Sequence, residues 1–303
     1  MSLNQGIGVR YTTSGVRVLG LKRTGDGIEI TKVAVSLPEE RLESVITNLG
    51  FSTEDSRIAC GLCPGDFISV VIARENGMDD QDLRSQLRWE IERKMISDPS
   101  EYSIDYTMSD NMGLVFAGRR KFIDELKGTL KNVVFDVEPV ALYNGCESLG
   151  ELGDGKLMLL SVEAEGISSV VMNEGMLQSM ESFPIHEDEL LSVLGCLDHK
   201  SIAYIDDSTS ERLAEYVNES INRFNTYIDK KKNAIPDRLI LAGGGVYAGE
   251  LARLVEQKSG ITTIVSDPFA SQTVDSVIQT PELANMGAAF TTCFGLAVRA
   301  LEE

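Results

Sequence analysis

The chain has 303 residues, which at roughly 150 residues per domain predicts two domains. Its 47 acidic and 28 basic residues give a net charge of −19, so most of the surface would repel nucleic acid and anionic lipid headgroups. With only two histidines, His186 and His199, a multi-histidine metal site is excluded. Five scattered cysteines, an odd number, are typical of a reducing compartment and predict a cytoplasmic protein. The longest nearly uncharged run near the C-terminus, 283–298, is too short to span a bilayer, so no direct membrane insertion is expected.

Alternating apolar residues separated by turn-rich segments predict strands over the first quarter of the chain. These strands are expected at 6–10, 16–21, 28–35, 57–63 and 66–73. A short amphipathic helix is expected at 38–49, after the third strand. The five strands and the helix are predicted to form one unit.

The following stretch has a helical period and then short strands. Residues 79–95 predict a helix because Leu83, Leu87, Ile91 and Met95 recur every four residues. The elements expected after it are strands at 102–108, 113–117 and 133–137 and helices at 120–131 and 139–149. We predict a first lobe over residues 1–150, with an inserted α+β subdomain at about 79–136. The glycine-rich segment 150–155 is interpreted as a linker.

The second half repeats the three-strand beginning of the first half. Strands are expected at 156–162, 166–172, 176–183, 238–242 and 262–265, and helices at 208–231, at 247–258 and from Thr280 towards the C-terminus. This echo predicts a second lobe, 151–303, built like the first, with the C-terminal helix returning to the first lobe. The fold class is therefore α/β with two related lobes.

Five short segments together resemble one protein family. They are 87–92 (LRWEIE), 103–106 (SIDY), 241–245 (LAGGG), 267–269 (DPF) and 295–303 (GLAVRALEE). In combination they resemble the PilM family of type IV pilus assembly proteins, in the FtsA-like branch of the actin-like ATPase superfamily. The resemblance implies an actin-like (ribonuclease H-like repeat) fold. It also implies ATP in the cleft between the lobes, held by two phosphate loops and a glycine-rich adenosine turn.

The first expected phosphate loop departs from the family pattern. The family reads roughly Gly-Ile-Asp-Ile-Gly followed by hydroxyl residues. Here Gly8 stands at the aspartate position and Arg10 at the second glycine. Thr12 and Thr13 are the remaining candidate phosphate contacts. Arg10 could alternatively donate charge-assisted hydrogen bonds to a phosphate, without restoring the metal site.

The second expected loop carries Glu163 and Glu165 among small and hydroxyl residues instead of an aspartate. Two carboxylates oppose a triphosphate unless a metal bridges them, although a shifted register would let either glutamate replace the metal-binding aspartate. The adenosine turn survives as Gly243, Gly244 and Gly245, a sequence that is equally typical of a simple tight turn. We expect a pseudo-ATPase with no catalytic residues, no metal site and neither ATP nor Mg²⁺ as a resident cofactor.

The resemblance implies a non-enzymatic cytoplasmic scaffold that docks the cytoplasmic N-terminal tail of an inner-membrane pilus assembly protein. This partner would recruit the chain to the inner face of the membrane. The groove would lie between the first lobe and the insert. Trp89, the only tryptophan, is its candidate residue, and the alternative for Trp89 is burial in the core. Two alternatives stay open, an active Mg-ATP-binding ATPase or kinase of the same fold and the cytoplasmic actin-like module of a type II secretion protein. Self-association also stays open.

Overall fold

The structure is a computed structural model that describes residues 4–12, 15–25, 27–36, 40–51, 57–163, 165–184, 236–244, 248–274 and 285–302. Its strands form three sheets of six, five and three strands. Within the described residues, no helix combines the length and the apolar character needed to cross a membrane.

The first sheet begins as an antiparallel meander and continues with parallel strands. Its members are β1 (Gln5–Tyr11), β2 (Val16–Thr24), β3 (Gly27–Ser36), β4 (Arg57–Leu62), β8 (Val133–Val137) and β14 (Thr273–Val274). They lie in the order β14-β3-β2-β1-β4-β8. Strand β1 pairs antiparallel with β2 and parallel with β4, so it is central and hydrogen-bonded on both sides. The two-residue strand β14 has no counterpart in the sequence predictions.

The second sheet repeats this arrangement. Its members are β9 (Lys156–Glu163), β10 (Gly166–Asn173), β11 (Met176–Pro184), β12 (Arg238–Gly243) and β13 (Thr262–Val265), in the order β11-β10-β9-β12-β13. Here β9 takes the central place of β1, with an antiparallel neighbour on one side and a parallel neighbour on the other. The prediction that the second half of the chain repeats the strand arrangement of the first half is therefore confirmed for the order of the strands.

The third sheet is small and includes a strand that was expected elsewhere. It has the order β5-β7-β6, with β5 (Phe67–Ala73), β6 (Tyr102–Met108) and β7 (Met112–Arg119). The prediction that the fifth strand belongs with the first four was wrong, because β5 pairs antiparallel with β7. Strand β8 pairs with β4 of the first sheet. The predicted insert at 79–136 thus overlaps the small sheet without coinciding with it.

The described helices cover the sheets and connect them. They are α1 (Leu42–Asn48), α2 (Asp80–Lys94), α3 (Arg120–Thr129), α4 (Glu138–Ser148), α5 (Ala248–Ser259), α6 (Pro268–Ser271) and α7 (Gly287–Glu302), with a 3-10 turn at Pro99–Glu101. Helix α2 buries the predicted stripe Leu83, Leu87 and Ile91 against β5 and β7. The helix expected at 208–231 lies outside the described residues.

Two helix starts differ from the sequence prediction. Helix α1 begins at Leu42 instead of residue 38, and the described residues Glu40 and Arg41 before it are not helical. The C-terminal helix begins at Gly287 instead of Thr280, since Asn285 and Met286 are not helical. The carboxylate of Asp267 lies against Gly287, where it complements the positive end of α7.

Helix α7 lies between the first and second sheets. It packs against β1, β2 and β4 on one side and contacts α4 and β12 on the other. The contacts are close because glycines face the helix. A methyl group on Gly8 of β1 would overlap with the Cys293 carbonyl oxygen and lie 2.6 Å from the Ala297 nitrogen. Likewise, a methyl group on Gly145 of α4 would lie 2.6 Å from the Thr291 carbonyl oxygen.

Candidate functional site: a buried ion cluster at the expected phosphate loops

Two arginines lie side by side at the end of the β1–β2 hairpin. Arg10 of β1 and Arg17 of β2 are directly opposite one another in the antiparallel register. Both side chains are buried, with 1% and 3% of their surface exposed. Residues directly opposite in an antiparallel pair share one face of the sheet, and like charges in that position are destabilising. The pair therefore needs acidic groups close by.

Three glutamates from other elements supply these charges. Glu165, between β9 and β10, approaches the Arg10 Nη2 with Oε2 at 2.6 Å. Glu163, at the end of β9, places Oε2 at 2.5 Å from the Arg17 Nη2 and at 3.8 Å from the Arg10 Nη1. Glu138, the first residue of α4, places Oε2 at 3.6 Å from the Arg10 Nη2. We call these five residues the ion cluster.

The side chains of the ion cluster lie so close together that the charge on each one affects the ionisation of the others. Because both guanidinium groups approach one Glu163 oxygen, their nitrogens lie within roughly 6 Å, where two like charges repel by about 3 kcal/mol at an effective dielectric constant near 20. Burial opposes the charge on Arg10, but Glu163 and Glu165 outweigh it and hold the pKa of Arg10 well above its usual value. Burial raises the pKa of Glu138, and the charge of Arg10 opposes that rise. The arginines therefore remain charged and depend on the carboxylates around them.

Thr12, one of the two residues expected to contact phosphate in the first loop, stabilises a turn of the backbone. The Thr12 hydroxyl donates to the Gly15 carbonyl and accepts from the Gly15 N–H, which closes the turn between β1 and β2. Thr13 lies outside the described residues. Gly8, at the position where the family has an aspartate, faces the backbone of α7, so that position has no room for a side chain.

The second expected loop contributes acid to the ion cluster. The buried Ser161 hydroxyl donates to Glu138 Oε1 at 3.3 Å, which ties β9 to the start of α4. With all five groups ionised, two arginines and three glutamates carry a net charge of −1, which disfavours a triphosphate at this place. Among the residues that the structure describes, no group of three or more His, Cys, Asp or Glu side chains is arranged to hold a metal ion.

The glycine turn after β12 has a structural explanation in its own geometry. Gly243 and Gly244 have φ angles of 77° and 68°, in the left-handed region that favours glycine. The Gly244 N–H donates to the Val162 carbonyl at 2.9 Å, and a side chain on Gly243 would overlap with that carbonyl. The turn thus packs against β9 one residue before Glu163. Gly245 lies outside the described residues.

Trp89 lies on α2, which covers the small sheet. Its side chain is 57% exposed, and the Arg93 guanidinium lies 4.5 Å from the centre of its ring. Ile96, just beyond the end of α2, is 91% exposed. Trp89 is thus an exposed residue of this helix and not a member of its buried stripe.

Sequence reasoning identified three members of the ion cluster and missed Arg17 and Glu138. Arg17 interrupts an otherwise apolar strand, and pairing the two predicted strands through their short turn would have placed it opposite Arg10. Glu138 gave no distinctive signal, because acidic residues are common at the start of a helix, where they interact favourably with the helix dipole. The cluster itself joins residues up to 155 positions apart, so local pattern could not reveal it.

Comparison with known proteins gives a family match and a fold. Residues 208–301 match the family model of the type IV pilus assembly protein PilM. The chain also resembles a chain in a solved PilM–PilN type IV pilus biogenesis complex, with 18% identity, full coverage of both chains and a TM-score of 0.75. A Bacteroides thetaiotaomicron protein with an actin-like ATPase fold matches with 14% identity, 96% and 97% coverage and a TM-score of 0.51. The chain thus has the actin-like fold that its motifs predicted, and over residues 208–301 it is similar to PilM.

Proposed function

We propose that this chain is a non-enzymatic scaffold of type IV pilus assembly, in which the chain's own side chains occupy the expected phosphate site. The observation that carries the proposal is the ion cluster, in which Arg10 is paired with Glu165 where the family resemblance implies ATP. The packing around Gly8 supports the same proposal, because α7 fills the region where the side chain of a metal-orienting aspartate would lie. Hydrolysis would need a magnesium site that these residues do not supply.

The proposed partner is an inner-membrane pilus assembly protein whose cytoplasmic N-terminal tail docks on this chain. Support comes from the PilM family match and from the resemblance to a chain of a PilM–PilN complex. The groove between the first lobe and the insert is the proposed site, with Trp89 of α2 as a contact. The partner would hold the chain at the inner face of the inner membrane. Since the chain carries a net charge of −19, a tail with basic residues would associate faster at low salt than at high salt.

Calorimetric titration with Mg-ATP tests the non-enzymatic part. The purified chain, shown to be folded by circular dichroism, is titrated at concentrations that detect dissociation constants in the tens of micromolar. We expect no heat of binding and no phosphate release. A saturable heat with one-to-one stoichiometry would overturn the proposal, and Arg10→Gln and Glu165→Gln would then locate the nucleotide.

Fluorescence of the sole tryptophan tests the partner. Titration with a synthetic peptide of the membrane partner's N-terminal tail is expected to shift the Trp89 emission to the blue, because an exposed indole becomes buried. A peptide of the same composition in scrambled order serves as the control. Trp89→Ala, followed by anisotropy of a labelled peptide, should weaken binding by roughly tenfold or more. Unchanged affinity in this variant would remove Trp89 from the site, and no binding by the unmodified chain would refute the docking itself.

A further inference from the structure

The ion cluster connects two hairpins that belong to different sheets. Arg10 and Arg17 lie on β1 and β2 of the first sheet, while Glu163 and Glu165 lie at the β9–β10 turn of the second. The ion pairs at 2.5 and 2.6 Å therefore span the two halves of the fold. Their charges are complementary only when both hairpins are in place.

We infer that the ion cluster is a clasp that holds the two hairpins together without any nucleotide. The two arginines are opposite each other in the β1–β2 register and buried, so the carboxylates that lie against them offset both their mutual repulsion and the cost of burying their charge. When an acidic partner loses its charge, the arginine beside it stays buried and charged without its nearest carboxylate. A state in which the hairpins separate and water reaches the arginines is then favoured. This inference does not depend on the pilus partner proposed above.

Other contacts should keep a chain with a weakened clasp folded. Leu114 of the small sheet packs in one buried cluster with Met180 of β11 and Leu142 of α4. The Ser69 hydroxyl of β5 also donates to the Met180 carbonyl at 3.4 Å. Because these two contacts lie outside the ion cluster, loss of the cluster should open the hairpins locally instead of unfolding the chain.

Hydrogen exchange of Glu163→Gln, read by mass spectrometry, tests the clasp. We expect the amides of β1–β2 and β9–β10 to exchange roughly a hundredfold faster than in the unmodified chain, while those of α2 are unchanged. Glu250→Gln is the matched control. Glu250 pairs with Arg253 at a similar 2.6 Å on an exposed helix surface, and its loss should leave exchange unchanged. Equal exchange in Glu163→Gln and the unmodified chain would overturn the inference.

A double variant separates the clasp from general damage to the core. Arg17→Gln combined with Glu163→Gln removes both charges of the 2.5 Å pair and should restore most of the protection lost in Glu163→Gln. Additive loss in the double variant would refute the pairing. If Glu163→Gln does not fold, Glu165→Gln, at a side chain that is 12% exposed, carries the same test. Exchange of the unmodified chain should also be the same with and without millimolar Mg-ATP. Slower exchange in both hairpins with Mg-ATP would show that closure needs nucleotide and would overturn the inference.

Discussion

The replacement of Gly8 by alanine tests whether α7, and not only the loss of an aspartate, closes the first phosphate loop. The structure shows which atoms the alanine side chain would meet. The added methyl group would overlap with the Cys293 carbonyl oxygen and lie 2.6 Å from the Ala297 nitrogen, both backbone atoms in a buried helix. Backbone atoms in a helix move only with the helix, so relief through a side-chain rotation is not available.

The strand cannot move away from the helix either. Gly8 is opposite Leu19 of β2 and Ala59 of β4, so both edges of its strand are paired. Overpacking of a core costs about 1–3 kcal/mol and more where the neighbours are rigid, while the lower chain entropy of alanine in the unfolded state returns up to about 1 kcal/mol. Since the neighbours here are rigid, we take the upper end of this range less the entropy gain and expect Gly8→Ala to lower the free energy of unfolding by about 2 kcal/mol or more.

Urea unfolding followed by far-ultraviolet circular dichroism measures this free energy. Gly128→Ala is the control, because Gly128 lies in α3 with open space around its Cα and alanine there should add up to about 1 kcal/mol of stability. If Gly8→Ala unfolds within about 1 kcal/mol of the unmodified chain, α7 does not fill this position as described. For the same reason Gly8→Asp should not create Mg-ATP binding, and calorimetry with Mg-ATP would detect it if it did.

Three further measurements address single groups. Burial raises the pKa of Asp136 to about 7, so the folded state holds its proton more tightly than the unfolded state, and the free energy of unfolding should fall as pH rises from about 4 to about 7. Asp136→Asn should remove this slope and raise the free energy of unfolding near pH 8, and an unchanged slope in urea unfolding would contradict this reasoning. Asp267→Ala should cost about 1 kcal/mol in the same assay, because the carboxylate caps α6 by accepting from the Phe269 N–H at 2.8 Å. Burial raises the pKa of Cys60 to about 12 and of Cys293 to about 11, so iodoacetamide at neutral pH should label both only after denaturation, and mass spectrometry would reveal any native labelling.

The two main sheets could be predicted from the sequence because their signals are local. Alternating apolar residues and turn-forming residues located the strands of both meanders, and the repeat of that pattern in the second half pointed to two related lobes. The partner of β5 could not be predicted in this way. A period of two identifies a strand but not its neighbour, and β5 pairs with β7 across the intervening helix α2 and strand β6.

Local sequence patterns also fail to predict how the residues of the candidate site pair with one another. The sequence predicts that Glu163 and Glu165 oppose a triphosphate or, in a shifted register, that one of them replaces the metal-binding aspartate, and it predicts Arg10 as a phosphate donor. Neither interpretation anticipates that Arg10 and Glu165 satisfy each other, because their pairing depends on how two hairpins 155 positions apart meet. Arg17 and Glu138 complete the arrangement through strand register and a helix start. Charge compensation is a property of the folded chain and not of any one segment.

The ion cluster also determines what single substitutions toward the family's phosphate-loop pattern should do to this chain. Glycine at position 10 would leave Glu165 without its 2.6 Å partner, while a neutral residue at position 165 would leave Arg10 buried with less compensation. An aspartate at position 8 would collide with α7 whatever the other positions hold. We therefore expect each single substitution toward the family pattern to destabilise the fold. The departures at the two loops act as one coupled set, so on the proposal made above we expect Mg-ATP binding to require several of them to change together with the packing of α7.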